Sequence, residues 1–462
     1  MSLGLAAYAA CPVWLQNLLI SAYGVRVQWQ RYGPEQRHRL AELRASQWLD
    51  ADTLRALQLK QLNDTLQRAR ADVPFYRGLP AQAFSSLDQL RGLPITSKDA
   101  VKAAGRALVS RRHEGPLVEI HTGGTTGKPL TVYCTRHTLQ HNYAFFSRFR
   151  EWAGVPEDAR VATFAGRRVV PADASAPYWR HNRAARTLLF SSYHISQSTV
   201  DAYIEALERF RPDLIDSYPS SLLPLAERIL ARQGSSVRPR AVITSSETLF
   251  AEARRAIEKA FHCRVFDHYG SAEMVALVSM CEAGRYHVNP EYGIVEVLRD
   301  GEPARPGESG EIVATGFINP VMPLIRYATG DSAVPGEAGC SCGRHFPVLE
   351  HIEGRMDDVI VTPDGRHVGR LDPIFKSVAS LYETRIVQDR PDHITVEMVV
   401  RGELPAAEER VLLEELGARL GRFMKIDLVR VPSIERTGRG KLRTVVRLTG
   451  SDSGAAASRG EG

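Results

Sequence analysis

The chain has 462 residues, 44% hydrophobic and 24% charged, with a formal net charge of +6. That length holds two or three domains of ordinary globular composition, and six cysteines are too few for a disulfide scaffold, so a reducing, cytoplasmic setting is expected. Only eight of the 59 basic residues are lysine, and no basic stripe interleaved with aromatics occurs, which argues against a nucleic-acid partner.

The opening "MSLGLAAYAACPVWLQNLLISAYG" carries no charge before Arg26. It lacks the basic start of a signal peptide, and Pro12, Gln16, Asn17 and Gly24 interrupt it, so no membrane span is expected. It reads as a helix packed on the body, with a membrane surface as the lesser alternative. Residues 35–70 place leucines at helical spacing in "EQRHRLAELRASQW" and "ADTLRALQLKQLNDTLQRARA". Next comes "HTGGTTGKPL" at 121–130, set between the apolar runs "LVEI" and "LTVYC". Glycines let backbone N–H groups approach a ligand closely, threonines add hydroxyl donors, and Lys128 adds a charge, a set suited to phosphate oxygens. A Walker A loop is ruled out, because Thr122 replaces its first glycine and Pro129 its metal-binding Ser/Thr. The plain alternative is a hairpin turn.

Further along, "PDLIDSY", "RAVITSS" and "CRVFDHY" read as strands, separated by the helices "SSLLPLAERILARQG" and "FAEARRAIEKAF". Such alternation predicts an α/β fold with parallel strands. After Tyr292, "GIVEVL", the turn Asp300-Gly301 and "GEIVAT" read as hairpin strands. Residues 354–448, with "HITVEMVV", "AAEERVLLEELGARLG" and "IDLVRV", form a small α+β domain, and residues 449–462 are a low-complexity tail expected to be disordered. The organisation predicted is therefore residues 1–353, 354–448 and the tail.

Four further stretches accompany the glycine–threonine loop: "FDHYGSAEM" at 266–274, "LIRYATGDSAV" at 324–334, "EGRMDDVIV" at 353–361 and "RTGRGKLRTVV" at 436–446. In this order, from about Gln16 to Arg447, the chain resembles the class I adenylate-forming superfamily. Within it, the likeness is to the phenylacetate–CoA ligase-like branch, including the CapK-type proteins of polysaccharide gene clusters.

The resemblance implies an ATP-dependent enzyme. A carboxylic acid attacks the α-phosphorus of ATP to give acyl-AMP and pyrophosphate, and a second nucleophile, coenzyme A in the main reading, then takes the acyl group. Amines, sugar hydroxyls and carrier-protein thiols are alternative acceptors, or AMP stays on the substrate. A non-catalytic nucleotide-binding protein is the alternative of another class. The resemblance puts Thr122, Gly123, Gly124, Thr125, Thr126, Gly127 and Lys128 around the β- and γ-phosphates. Leu130 stands where the family's loop has lysine, and Lys128 precedes the proline instead. Glu273 holds Mg²⁺, and Ser246, Glu247 and Thr248 flank the adenine. Tyr269 and Gly270 border the base and acyl group, and Ser271 belongs with them to the ATP/AMP-binding set. Asp331 accepts from the ribose hydroxyls, with a turn aspartate as its plain alternative. Arg355 reaches ribose or phosphate, and Asp357 is the interdomain hinge or else a cap. Lys441 is the catalytic cation of adenylation, or else an exposed lysine among Arg436, Arg439 and Arg443. The likeness also allows a homodimer.

Cys281 and His287 in "CEAGRYH", with Cys340 and Cys342 in "GCSCGR", supply three thiolates and an imidazole, the ligand set of a closed structural zinc site. Four unrelated side chains are the alternative. Cys11, Cys134 and Cys263 read as buried small apolar residues. The aromatics of "HNYAFFSRF" (141–149) and "SSYHIS" (191–196) suit an aryl pocket or, equally well, ordinary core.

Overall fold

The computed structural model describes residues 8–447, apart from residues 9, 122–129, 165–168, 171–174, 197, 248, 355–358, 364–366, 370, 372, 373, 376, 377, 379, 401, 403 and 435–444. Two compact units divide at Gly354/Arg355.

The larger unit is mixed α/β. Its five-strand parallel run is Thr187–Phe190, Val161–Phe164, Leu214–Ser217, Ala241–Ser245 and Arg264–Gly270, paired in that order. These strands are nearly continuous apolar runs because helices cover them. Ala162, Phe164, Ile215, Val242 and Val265 pack against Tyr203, Leu207, Leu222, Leu225, Ile257 and Phe261 from the helices Val200–Phe210, Pro219–Ala231 and Ala251–Phe261. Pro219 pre-sets the first turn of its helix, while Arg211 and His262 end theirs in left-handed conformation, with φ of 50° and 53°.

At Arg264–Gly270 the sheet changes character. Its next neighbour, Leu277–Met280, runs antiparallel, followed by Tyr286–Val288, Val348–Gly354, Tyr327–Pro335, Gly310–Gly316 and Gly293–Arg299. The turn at Asp300-Gly301 has positive φ at both residues, 53° and 88°, as a two-residue hairpin requires. It closes onto the short strand Glu302–Pro303, which pairs with Gly293–Arg299 at the edge of the sheet, while Gly293–Arg299 pairs on its other side with Gly310–Gly316 as the sequence predicted. Among the described residues thirteen strands share this sheet.

The strands Val118–His121 and Thr131–Cys134 pair antiparallel, with His121 opposite Thr131. The two apolar runs flanking the glycine–threonine stretch are thus the arms of one hairpin.

The smaller unit has a sheet ordered Lys425–Arg430, His393–Val400, Leu381–Arg390 and Val445–Arg447. The helix Ala406–Leu420 buries Leu412, Leu416 and Leu420, at the spacing one helical face provides, against Ile386, Ile394 and Val396. No described helix is long and apolar enough to cross a membrane.

Of the three cysteines expected in the core, Cys134 is fully buried, while Cys11 and Cys263 are only partly covered. Each of the latter two lies beside a chain turn, Cys11 just ahead of the Val13–Arg31 helix and Cys263 between the left-handed cap His262 and its strand, where Cys263 still packs against the core beside Ile257, Phe261 and Val265.

Candidate active site and cysteine–histidine cluster

In an open sheet, residues beyond the carboxyl ends of parallel strands are free of the ladder and face a crevice. Two predicted segments occupy such ends on neighbouring strands: Ser246-Glu247 follows Ala241–Ser245, and Ser271-Ala272-Glu273 follows Arg264–Gly270. The second also stands where the sheet turns from parallel to antiparallel.

Tyr269 donates a 2.9 Å hydrogen bond from its phenol to Asp331 Oδ2. Burial, then the adjacent Asp331 charge, holds that phenol far above the ordinary tyrosine range, so it remains a donor at neutral pH. Asp331 lies on Tyr327–Pro335, one step past Gly330, whose φ is +77°. Its backbone N–H donates to Thr329 Oγ1 at 3.2 Å, and that hydroxyl donates to the Ile312 carbonyl at 2.9 Å. Glu273 is buried and accepts from the Tyr327 hydroxyl at 3.1 Å. Its charge also acts on Tyr269, so two carboxylates face one phenol.

Arg326 anchors the strand that carries Tyr327 and Asp331. It adopts φ of +45°, pairs with both Glu296 oxygens at 3.0 Å, and donates to the carbonyls of Arg91 and Leu93. Tyr327 and Arg326 both lie within a stretch that the sequence reading quoted without assigning them roles. Strand periodicity offered no clean signal, because the strand bulges at 329–331, opposite Ile312 alone, with Gly330 at positive φ.

Glu247 is tied to a neighbouring helix. Its carboxylate accepts from the Ser220 N–H at 3.0 Å and the Ser220 hydroxyl at 2.8 Å, at the start of the Pro219–Ala231 helix. This carboxylate caps a helix, and the neighbouring Ser246, with φ of +68°, turns the chain sharply. Six buried side-chain polar atoms lack a partner among the described residues, and two of them, His268 Nδ1 and Ser271 Oγ, lie on or just after the strand Arg264–Gly270. Burial lowers the His268 imidazole to about 4, leaving it neutral, and its ring meets the edges of Phe146 and Phe149 at 5.3 and 5.4 Å. Phe145 and Phe149 are core residues, whereas Phe146 is only partly buried, so the 141–149 segment mainly packs the interior.

Thr122, Gly123, Gly124, Thr125, Thr126, Gly127, Lys128, Thr248, Arg355, Asp357 and Lys441 lie outside the described residues.

The cysteine–histidine set does converge. Cys281 directly follows the strand Leu277–Met280, and His287 sits on Tyr286–Val288 opposite Val348. Cys340 and Cys342 occupy the loop leading into Val348–Gly354, with Gly339 and Gly343 at φ of 88° and 81°. One ligand atom from each of the four residues lies within 4.8 Å of all the others. Cys281 Sγ is 3.7 Å from Cys340 Sγ, and Cys342 Sγ is 3.4 Å from His287 Nε2. Burial raises the Cys281 thiol to about 12; burial acts the same way on Cys342, but the backbone N–H of Arg344 and neighbouring thiols hold it below its ordinary value. Burial keeps the His287 ring neutral. Three sulfurs and a neutral imidazole at these separations fit one tetrahedral zinc ion.

The AMP-binding enzyme family profile matches residues 18–319, and the CapK C-terminal domain profile matches residues 360–448. The chain is 25% identical over 456 residues to Protein CapK of Staphylococcus aureus, covering 95% of this chain and 98% of that protein. It is 27% identical over 329 residues to phenylacetate-coenzyme A ligase of Escherichia coli strain K12, covering 67% and 73%. Among solved structures, 2-hydroxyisobutyryl-CoA ligase in its postadenylation state aligns at a TM-score of 0.57 with 20% identity, covering 87% of this chain and 91% of that one. That last likeness is one of fold.

Proposed function

We infer the chemistry from family membership: the chain belongs to the AMP-binding enzymes of the adenylate-forming superfamily. It activates a carboxylic acid with ATP, forming acyl-AMP and releasing pyrophosphate, and passes the acyl group to coenzyme A. The observation that carries this reading is the joining of Tyr269, Asp331 and Glu273 at the switch in the sheet.

The physical difficulty is an anion attacking a polyanion. The site must neutralise the phosphates and hold the reactants in line. Asp331, with two acceptor oxygens oriented by Tyr269 and Thr329, receives the ribose hydroxyls. Tyr269 and Gly270 border the base and the acyl group, and Ser271, with its unpaired hydroxyl, faces the same space. The Glu273 carboxylate suits Mg²⁺, which neutralises phosphate oxygens when bound. Ser246 and Thr248 flank the adenine while Glu247 holds their turn against the Pro219 helix. Residues 122–128 surround the β- and γ-phosphates.

Lys441 supplies the cation that stabilises charge developing on the carboxylate and phosphate at adenylation, and Arg355 reaches the ribose or phosphate. Residues 1–353 form the nucleotide- and acid-binding domain, and 354–448 a catalytic-lysine domain that turns about Asp357 to withdraw Lys441 before thioester formation. Cys281, His287, Cys340 and Cys342 hold a structural zinc that ties two loops together and leaves no position open for chemistry.

Thioester formation with coenzyme A draws support from the phenylacetate-coenzyme A ligases among the relatives. A second reading, favoured by the nearly full-length match to Protein CapK, keeps the adenylation and changes the acceptor to an amine, a sugar hydroxyl or a carrier-protein thiol. Pyrophosphate release measured over a panel of carboxylic acids, followed by transfer assays with each acceptor class, tests both. No release with any acid would overturn the adenylation; release without thioester would select the second reading.

A further inference from the structure

The Val13–Arg31 helix is turned the wrong way round for a helix that only packs on a protein. Toward the body it presents polar and small groups. Asn17 Oδ1 accepts from the His181 N–H at 2.9 Å, Ser21 Oγ accepts from the Arg183 N–H at 3.0 Å, and buried Gly24 lies against the Asn182 side chain on the edge strand Trp179–Asn182. Toward solvent it presents Trp14, Leu18, Leu19, Tyr23, Val25 and Trp29, exposed by between 45% and 67%. Those six are nearly half of the thirteen large apolar side chains exposed among the described residues, and all stand on one 19-residue helix.

Trp14, Leu18, Val25 and Trp29 follow one another along a single strip of the helix. The strip is fixed as well as exposed: the Arg136 guanidinium lies 3.6 Å over the Trp29 ring and its Nε donates to the Trp29 carbonyl at 3.0 Å. Among the described residues, arginines predominate on and beside it. Arg26 sits on the outer half of the helix, Arg31, Arg136 and Arg183 flank it, and the first carboxylate in the chain, Glu35, is bonded to His141 at 2.7 Å.

We propose that this face docks on the headgroup region of an anionic lipid bilayer. Tryptophan and tyrosine combine an apolar body with a polar tip, leucine and valine enter the acyl boundary, and the arginines pair with lipid phosphates. A second copy of the chain is the weaker occupant. A two-fold pairing brings a patch against itself, so it would set these uncompensated arginines together, whereas an anionic surface neutralises them.

The test is flotation of the full chain with vesicles of phosphatidylcholine alone and of phosphatidylcholine with phosphatidylglycerol. The chain is expected to rise with the anionic vesicles, its tryptophan emission moving to the blue, and to be released by salt. The double variant Leu18→Glu/Val25→Glu is expected to bind about tenfold more weakly or worse. Arg26→Gln, a milder change at an exposed position, is expected to weaken binding and flatten the salt dependence. Absence of flotation by the unaltered chain, or flotation unaffected by both variants, would overturn the proposal. So would a concentration-dependent dimer that the double variant dissociates without any vesicle binding.

Discussion

The Tyr269 phenol and Asp331 Oδ2, brought from two strands of the large sheet, meet at 2.9 Å. The bond fixes one oxygen of the carboxylate. Tyr269→Phe removes a donor to a charged acceptor, a loss on the order of 1.5–3 kcal/mol. If Asp331 binds ribose, the variant raises the ATP KM by about tenfold or more in pyrophosphate exchange, beyond a fall of a few degrees in the thermal midpoint. Because burial and Asp331 keep the phenol protonated, the unaltered chain shows no break in rate from this group through the neutral range. An unchanged KM would remove the ribose role.

Glu273→Gln keeps a carbonyl oxygen for the Tyr327 hydroxyl, which now bonds at 3.1 Å, and removes the charge. The expected result is a fall in kcat of about 10²-fold or more, with a steeper requirement for Mg²⁺ and a normal fold. Tyr327→Phe alters orientation only, so a smaller loss is expected. Steady-state rates over a magnesium titration separate the two. Equal losses would make Glu273 a structural partner of Tyr327.

Much of this arrangement is legible in the sequence because it is local. Strand–helix alternation from 212 to 270 follows from apolar runs and turn residues, and "YGSAE" and "RYATGD" mark the ends of particular strands. Glu247 shows the limit. Its partner Ser220 lies 27 residues upstream, on the preceding strand-to-helix unit, and no local pattern signals that contact. The same holds for His268, an ordinary strand residue in sequence that burial turns into a neutral imidazole with an unpartnered nitrogen. The cysteine–histidine set was legible by ligand type alone. Its convergence depends on the 286–288 strand pairing with the one at 348–354, which the spacing of the ligands does not encode.

Zinc in that cluster predicts about one equivalent of metal by elemental analysis, lost on prolonged chelation. Cys342→Ser leaves three ligands and is expected to lower the thermal midpoint of the large unit by on the order of 5 °C, and adding chelator to the variant should have little further effect. Since the proposed ion has no open position, adenylation per folded molecule persists. A zinc-free preparation of full stability would remove the assignment.

Lys441→Ala is expected to suppress pyrophosphate release by about 10²-fold or more, because such a cation acts on charge present only in the transition state. Thioester formation from supplied acyl-adenylate should be spared, since the proposed alternation has carried residue 441 out of the site by then. Single-turnover assays of the two half-reactions give the comparison. Equal loss in both would argue against alternation, and equal retention against the catalytic role.

Arg148 and Glu291 are each 1% exposed and meet at 2.7 Å, with Asn289 and the Leu43 carbonyl taking further guanidinium protons and the Ser46 hydroxyl bonding the carboxylate. Burial alone would favour the neutral acid, but the Arg148 charge and its hydrogen bonds hold the Glu291 carboxyl below the ordinary range. A depressed folded-state value means the pair's contribution is complete above the unfolded glutamate value of about 4.3 and is lost as pH falls through the folded one. Arg148→Met keeps the side-chain bulk and strands the carboxylate, costing about 3–5 kcal/mol. It should also reverse the pH trend: with only burial acting, the carboxyl titrates above 4.3, and stability declines as pH rises through that range. The double variant Arg148→Met/Glu291→Gln, having no buried charge, should recover much of the loss and flatten the profile. Denaturant midpoints for the three proteins between acid and neutral pH decide it, and an Arg148→Met profile parallel to that of the unaltered chain would show that the charge pair is not what fixes Glu291.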